Sequence, residues 1–321
     1  MTAPDKIACI GAGTIGRAWA MIFARAGHDV ALYDTDLAAL DKAMAAIRIG
    51  LDDQAKLGLI ESAGVVLSRI RPEPDLGRAL VGARHIQENV YEDIELKRRV
   101  FAELDRCASA DAVIASSVSS IPVSQFMENL TGSRRCIGAH PVNPPHLVPL
   151  VEIVMAHSTS EETYARTAAL MESIGQVSVR LNREIHGYVL NRLQFAIINE
   201  ALHLVEQGYV SAIDCDKIVK HGLGRRWAFM GLFETNHLNA SSGIREYYTK
   251  FGPTIRGMLK ELFLTPHAVG PKMVETLAHE IEAETPSVDV PARQAWRDRQ
   301  LAALGRHLAA MADAEKNGRS S

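Results

Sequence analysis

The chain is poor in cysteine and nearly neutral, and both features narrow its class. Among its 321 residues are four cysteines, Cys9, Cys107, Cys136 and Cys215, and no two of them are close in sequence. This spacing argues against a disulfide framework and against a zinc knuckle. The formal net charge is -3 and no basic stripe is present, so neither nucleic acid nor an anionic membrane is an expected partner.

The sequence also lacks an uninterrupted apolar run that could cross a membrane. Its most apolar long segment, residues 188–205, is broken by Arg192, Glu200 and two asparagines. The first apolar run begins at Ile7 and is predicted to be a strand, which leaves no room for a signal peptide before it. With 47% apolar and 23% charged residues, the composition is typical of a globular protein, and we expect a cytoplasmic enzyme or binding protein.

Short apolar runs alternate with helical stretches through the first half of the chain, as parallel βαβ units require. The predicted strands are KIACIG (6–11), DVALYD (29–34), HIQENV (85–90), AVIASS (112–117), RCIGAH (135–140) and QVSVRL (176–181). Residues 35–75 are too many for one crossover and predict a helix pair. Beyond residue 185 only helical periodicity is present, and the end of the chain from Lys316 is expected to fray.

These patterns predict two domains. Residues 1–185 form an α/β domain, a Rossmann-type doubly wound sheet. Residues 186–321 form an all-α domain for substrate binding and dimerisation. Its helices carry more apolar surface than one layer packed against the first domain would bury, and a second subunit would cover the rest.

Three glycines, Gly11, Gly13 and Gly16, lie between the first strand and the helix after it. The first permits a tight turn, the second lets the backbone approach a pyrophosphate, and the third lets the helix pack closely on the strand. The helix N-terminus offers free N–H groups and a positive dipole to the phosphates. Asp34 ends the second strand, where a carboxylate would bind the adenosine ribose hydroxyls.

This arrangement predicts a nicotinamide dinucleotide site. Thr35 and Asp36 follow Asp34, and no neighbouring arginine could pair with a 2′-phosphate, which favours NAD over NADP. The alternative is a glycine-rich turn followed by a solvated aspartate. The predicted cofactor-binding residues here are Gly11, Gly13, Thr14, Ile15, Gly16 and Asp34.

The stretch GAHPVNPPHLVPLVEI (138–153) contains four prolines, and with them His140 and Glu152. His140 ends a predicted strand, at the edge where ligands bind in open α/β sheets. Proline restricts the loop, and a chain reversal through it could bring Glu152 beside His140. A hydride-transferring site needs a fixed base, and an imidazole oriented by a carboxylate suits this role. From the residues alone, a core histidine with a solvated glutamate is an equally good interpretation.

Several motifs, in order along the chain, are similar to those of one family. HPVNPP with its trailing LVE, ASSVSSIP and GYVLNRL resemble the 3-hydroxyacyl-CoA dehydrogenase superfamily. HIQENV, GLGRRWAF, ETNHLNA and AWRDRQL extend the likeness to nearly everything between Ile7 and Leu308, and narrow it to the branch that contains lambda-crystallin and L-gulonate 3-dehydrogenase. The resemblance implies a homodimer that uses NAD.

The resemblance also implies roles for single residues. His140 takes the place of the catalytic base and Glu152 that of its partner. Ser119 matches the serine that hydrogen-bonds the substrate oxygen, and Asn191 the asparagine that holds the substrate near the histidine. The alternatives are a turn serine and an asparagine that caps the start of its helix.

Three further positions follow from the same resemblance. Asn143 lies in the loop beside the base, where it would support the substrate site. Glu92 and Lys97 fall where the family contacts the nicotinamide side of the cofactor. Exposed helix charges are the alternative for both.

Two kinds of substrate compete, a coenzyme A thioester and a small free hydroxy acid. Coenzyme A carries phosphates that usually require clustered cations. In the related hydroxyacyl-CoA dehydrogenases the helix pair after the second strand is rich in lysine. Here the corresponding stretch, residues 37–64, has only Lys42, Arg48 and Lys56, and it adds Asp52 and Asp53. A small acid such as L-gulonate is therefore expected.

The carboxylate of such a substrate needs a cation in the pocket. Arg225 and Arg226, in GLGRRWAF, are candidates, with Arg245 a weaker one, and solvated surface arginines are the alternative. His146 and Leu147 replace an aromatic pair of the crystallin-like relatives, so other short β-hydroxy acids and carnitine-like compounds stay open. No metal site is predicted, because no further ligands accompany His146.

The leading hypothesis is an NAD-dependent dehydrogenase that oxidises a small 3-hydroxy acid to its 3-keto acid. One alternative is a 3-hydroxyacyl-CoA dehydrogenase acting on 3-hydroxybutyryl-CoA. Another, of a different class, is a non-catalytic NAD-binding structural protein of the crystallin kind, which would need the glycines and Asp34 but no catalytic set.

Overall fold

A computed structural model of the chain describes residues 5–318. Eight strands form one sheet in the order β3-β2-β1-β4-β5-β6-β7-β8. They are β1 (Lys6–Ile10), β2 (Asp29–Tyr33), β3 (Ile70–Glu73), β4 (Ala83–Glu88), β5 (Val113–Ser116), β6 (Cys136–Pro141), β7 (Leu150–Val154) and β8 (Val177–Leu181). Among these strands only β6 and β7 pair antiparallel, and every other neighbouring pair is parallel.

Helices cover both faces of the sheet, as a mostly parallel sheet requires. In the first part of the chain they are α1 (Thr14–Arg25), α2 (Leu37–Lys56), α3 (Ala63–Leu67), α4 (Leu76–Leu80), α5 (Ile94–Cys107), α6 (Ser124–Met127) and α7 (Glu161–Ser173). Residues that alternate along β1 enter opposite cores: Ile7 packs in the cluster that contains Trp19, and Ile10 in the cluster that contains Phe101. The centre of the sheet is therefore buried on both sides.

Polar side chains define where several of these helices begin. Asp36, Asp75 and Asp93 accept N–H groups in the first turns of α2, α4 and α5, and Ser62 and Ser160 do so for α3 and α7. Such caps satisfy backbone donors that have no partner inside the helix.

All six predicted strands are present, and so is the predicted helix pair, as α2 and α3. Two strands were missed. β3 contains Pro72 and lies at the edge of the sheet, where a residue without an N–H is tolerated. β7 lies in the apolar run after the proline loop, which was not identified as a strand because prolines interrupt its start.

The chain folds as two compact units: residues up to Arg192 together with Leu301–Gly305, and Leu193–Gln300 together with the end of the last helix. The predicted boundary at residue 185 lies slightly before this division. Helix α8 (Tyr188–Glu206) crosses it, and the remaining α-helices are α9 (Ala212–Ile218), α10 (Gly224–Trp227), α11 (Leu232–Leu238), α12 (Ile244–Leu259), α13 (Pro271–Glu284) and α14 (Val290–Gly318).

The second unit contains no strand among its described residues, which agrees with the predicted all-α domain. α14 includes the first residues of the segment predicted to fray from Lys316, and the rest of that segment lies outside the described residues. No helix in the described part of the chain combines the length and apolarity needed to cross a membrane.

Candidate active site

The turn between β1 and α1 has the form that a bound pyrophosphate requires. Gly11 has a φ of 95°, in the left-handed region, and a Cβ there would lie 2.9 Å from the carbonyl oxygen of Asn89. A Cβ on Gly16 would lie 1.8 Å from the carbonyl oxygen of Gly11, so only glycine lets α1 begin this close to the turn. At Gly13 no atom of the described chain lies within 4 Å of an added Cβ, which leaves open space.

That open space adjoins the free N–H groups at the start of α1. Gly13 is the N-cap and offers no side chain to Thr14 and Ile15, and the first turn contains no acidic residue. Backbone donors and helix dipole therefore remain available to an anion at this point.

Asp34 follows β2 and holds the same turn together. Its Oδ2 accepts the N–H of Ala12 at 2.8 Å, and its Oδ1 accepts that of Asp36 at 3.1 Å. A cavity of about 500 Å³ opens beside it, lined by residues that include Gly11, Gly13, Tyr33, Val90, Leu96 and Val100. Free N–H groups, an adjacent carboxylate and an apolar cavity fit a dinucleotide such as NAD.

The antiparallel pair β6–β7 brings His140 and Glu152 together. The two residues lie directly opposite each other in the strand register, and Nδ1 of His140 lies 2.8 Å from Oε2 of Glu152. Both are buried, at 5% and 3% exposure. The ring of Tyr188, itself buried, packs 5.4 Å from the imidazole, centre to centre. These contacts hold the imidazole in one orientation and leave its Nε2 as the nitrogen that can exchange a proton.

Glu152 also caps α8 with its other carboxylate oxygen. Oε1 accepts the N–H groups of Val189 at 3.0 Å and Leu190 at 2.9 Å. Burial opposes ionisation of Glu152, but the hydrogen bond with His140 and the two N–H donors outweigh it and lower its pKa. The carboxylate is thus an anion fixed from two sides.

Ser119 and Asn191 also lie together. The side-chain amide of Asn191 donates to the carbonyl oxygen of Ser119 at 2.9 Å, and the Ser119 hydroxyl donates to Glu92. Glu92 accepts the N–H groups of Ser119 and Ser120 as well, at 3.0 and 2.7 Å. Burial opposes ionisation of Glu92, yet these donors prevail and lower its pKa to about 2. Glu92 therefore organises the loop that carries Ser119.

Lys97 occupies a different environment from the one expected. Its ammonium group is 1% exposed and donates to both oxygens of Glu88, at 2.9 and 3.0 Å. The hydroxyl of Ser116 donates to the same carboxylate. This buried ion pair ties α5 to β4, and a contact of Lys97 with the cofactor stays a prediction.

The candidate substrate residues are dispersed. Asn143 is exposed in the loop between β6 and β7. Arg225 and Arg226 lie exposed on α10 of the second unit, and Arg245 lies exposed at the start of α12. A role of these arginines toward a substrate stays a prediction. His146 is half-buried in the proline loop.

Some residues of the site were not predicted. Tyr188 follows Gly187, and both have positive φ, so that the chain turns sharply into α8 and buries the tyrosine against His140. Glu88 was not identified although a carboxylate inside an apolar strand, as in HIQENV, is a recognisable signal of a buried pair. No sequence pattern marks the N–H groups of Val189 and Leu190.

Comparison with known proteins assigns the chain to a family. Residues 6–185 match the NAD-binding domain of 3-hydroxyacyl-CoA dehydrogenase, and residues 187–279 match its C-terminal domain. A lambda-crystallin homolog of Bos taurus is 41% identical over 92% of this chain and 94% of its own length.

Two other proteins similar to this chain are named as dehydrogenases. An L-carnitine dehydrogenase of Bacillus cereus is 34% identical over 93% of this chain and 91% of its own length. The crystal structure of 5-formyl-3-hydroxy-2-methylpyridine 4-carboxylic acid 5-dehydrogenase, described as an NAD+ dependent dismutase, superposes with a TM-score of 0.82. It shares 28% sequence identity, over 95% of this chain and 99% of that one.

Proposed function

Since the chain belongs to the 3-hydroxyacyl-CoA dehydrogenase superfamily and is an NAD-dependent oxidoreductase of that family, we propose that it oxidises a small free 3-hydroxy acid to the 3-keto acid. The observation that carries the proposal is the buried His140–Glu152 pair at the end of β6. A buried imidazole fixed by an ionised carboxylate is the proton acceptor that alcohol oxidation needs.

Each residue of the site has a defined task in this reaction. NAD, when bound, supplies the hydride acceptor. His140 takes the hydroxyl proton on Nε2 while Glu152 holds Nδ1 and stabilises the imidazolium that forms. Ser119 and Asn191 position the substrate oxygen, and Glu92 keeps the Ser119 loop in place. In reduction the same groups act in reverse order.

The charges on α2 support a small acid over a coenzyme A thioester. Asp52 and Asp53 are exposed on this helix, and Lys56 is ion-paired with Asp53 at 3.2 Å. Few cations are left there for a 3′-phosphate and a diphosphate. The similarity to an L-carnitine dehydrogenase supports the same conclusion, because carnitine is a free 3-hydroxy acid. L-Gulonate, carnitine and other short β-hydroxy acids are therefore the first candidates.

A substrate panel tests this proposal. Purified protein with NAD is given L-gulonate, L-carnitine, free 3-hydroxybutyrate and 3-hydroxybutyryl-CoA, and NADH formation is followed. We expect turnover of at least one free acid at a higher kcat/KM than the thioester. Preference for the thioester would make the chain a hydroxyacyl-CoA dehydrogenase, and NAD binding without any NADH would support a structural role like that of a crystallin.

The proposed base is tested by His140→Ala, with His157→Ala as an exposed control in the same unit. General-base catalysis contributes about 10²–10⁴-fold, so His140→Ala should lower kcat by that order while NADH binding, measured by fluorescence titration, is kept. A variant that keeps most of its turnover removes His140 from the mechanism.

The proposed enzyme is a cytoplasmic homodimer. The second unit exposes large apolar side chains, among them Phe195, Phe229, Phe233, Leu238 and Leu264 at 57–83%. Apolar surface of this kind is what a subunit interface covers. The four cysteines are free thiols, which suits a reducing compartment.

A further inference from the structure

A cluster of three potential metal ligands lies in the second unit, and none of the three belongs to the proposed active site. His203 and Glu206 are three residues apart on α8 and therefore project from the same face of that helix. His267 comes from the loop between α12 and α13. One ligand atom from each of the three residues lies within 4.8 Å of the others.

The loop that carries His267 is held in place by side chains of α8. Asn199 accepts the N–H of His267 at 2.7 Å and donates to the carbonyl oxygens of Phe263 and Thr265. Glu200 accepts the N–H of Phe263 at 2.9 Å. The third ligand is thus positioned over the other two before any ion binds, which lowers the entropic cost of binding.

His267 also has a buried nitrogen without a partner. Its Nε2 bonds with Glu206 at 3.0 Å and its side chain is 3% exposed, yet its Nδ1 has no hydrogen-bond partner within the described residues. An imidazole that donates from Nε2 keeps a lone pair on Nδ1. The nitrogen that faces Glu206 is Nε2, so a cation between these two side chains would bind at Nε2 and displace this hydrogen bond. Nε2 of His203 lies 3.0 Å from the carbonyl oxygen of Thr265, a contact that a cation at that nitrogen would also displace.

We propose that His203, Glu206 and His267 bind a divalent transition-metal ion of the zinc type. Two imidazole nitrogens and one carboxylate oxygen form a ligand set that Zn²⁺ takes up readily, with water in the fourth position. The side chain of Glu206 is 57% exposed and can rotate to close the set. The ion would fasten the loop of His267 to α8. Because no residue is shared with the proposed active site, this inference is independent of the proposed function.

The test uses the full chain without a histidine tag, treated with EDTA and desalted. Zn²⁺ binding is measured by calorimetry, Co²⁺ coordination by its visible absorption, and stabilisation by thermal unfolding with and without Zn²⁺. The variants are His203→Ala, His267→Ala and Glu206→Gln, and His279→Ala on α13 is the control, since that histidine is exposed and outside the cluster.

We expect one Zn²⁺ per chain, a tetrahedral Co²⁺ spectrum, and a rise in Tm with Zn²⁺ in the wild type and in His279→Ala. Each cluster variant should weaken Zn²⁺ binding by more than about tenfold, since even outer-shell partners are worth that much. Glu206→Gln changes an exposed side chain and keeps the fold, so its loss of Zn²⁺ response cannot come from unfolding. Equal binding by all variants, or none by the wild type, would show an ordinary ion pair and overturn the proposal.

Discussion

Glu152 divides its two oxygens between His140 and the first turn of α8, so one carboxylate determines both the charge beside the imidazole and its orientation. Replacing it by glutamine keeps the size and one acceptor oxygen but removes the anion. Charge and shape can therefore be separated experimentally at this position.

We predict that Glu152→Gln lowers kcat for oxidation, because the imidazolium that forms on His140 loses its neighbouring anion. Steady-state kinetics with NAD would measure this. Glu161→Gln, at an exposed ion pair with Arg180, is the control and should keep the wild-type kcat. An unchanged kcat in Glu152→Gln would mean that the carboxylate does not contribute to the reaction.

Glu92 should make stability depend on acid pH. The pKa of its folded-state carboxyl is lowered from 4.5 to about 2, so its stabilising effect is complete above pH 4.5 and is lost as the pH falls toward 2. In urea unfolding, the advantage of the wild type over Glu92→Gln should therefore shrink between about pH 5 and pH 3. A constant difference between the two proteins over that range would contradict the assigned hydrogen bonds.

At the scale of elements, Gly13 and Gly16 in the turn before α1 are glycines for different reasons. Gly16→Ala should destabilise the fold, by about 1–3 kcal/mol or more, because the new methyl group meets backbone at 1.8 Å. Gly13→Ala has free space and an ordinary φ of -68°, so its fold should be unchanged. Its methyl group would instead occupy the space kept for the phosphates, and NADH binding should weaken.

Thermal unfolding without ligand and fluorescence titration with NADH distinguish these two effects. Each variant serves as the control of the other. A Gly13→Ala protein that binds NADH like the wild type would place the phosphates elsewhere.

The elements could be predicted where the sequence follows local rules. Buried parallel strands such as DVALYD are continuous apolar runs between glycines and capping residues. The hydrophobic pattern and these flanking residues are therefore enough to predict them. β3 could not be predicted, because a four-residue edge strand with a proline and two charges obtains its pairing from β2 and not from its own composition.

The residues of the candidate site could be selected to a similar extent. His140 and Asp34 end strands, where ligands bind in open α/β sheets, and the glycine spacing is typical of a phosphate-binding turn. The burial of Lys97 could not be predicted, since the sequence does not distinguish a buried lysine from an exposed one until its partner, Glu88, is located in the fold. His203, Glu206 and His267 were missed for the same reason: a His-x-x-Glu spacing on a helix is common, and the third residue joins them only through the fold of the loop.

At the scale of the whole molecule, the exposed apolar side chains of the second unit predict a dimer. Light scattering at micromolar concentration should give twice the 35.1 kDa mass of the chain. Phe233→Asp, at a side chain that is 71% exposed, should lower that mass or weaken association without loss of helix content. A wild-type protein that runs as a monomer under these conditions would refute the dimer.

His140 and Glu152 are twelve residues apart and share a single β-hairpin, whereas the nucleotide site draws on β1, β2 and β4. The proposed acid–base pair is thus assembled by short-range folding of one hairpin, and α8 then fixes it through its N–H groups on Glu152 and through Tyr188. Changes at the borders of the sheet or in the helices beyond α8 would therefore alter substrate choice while leaving this pair in place.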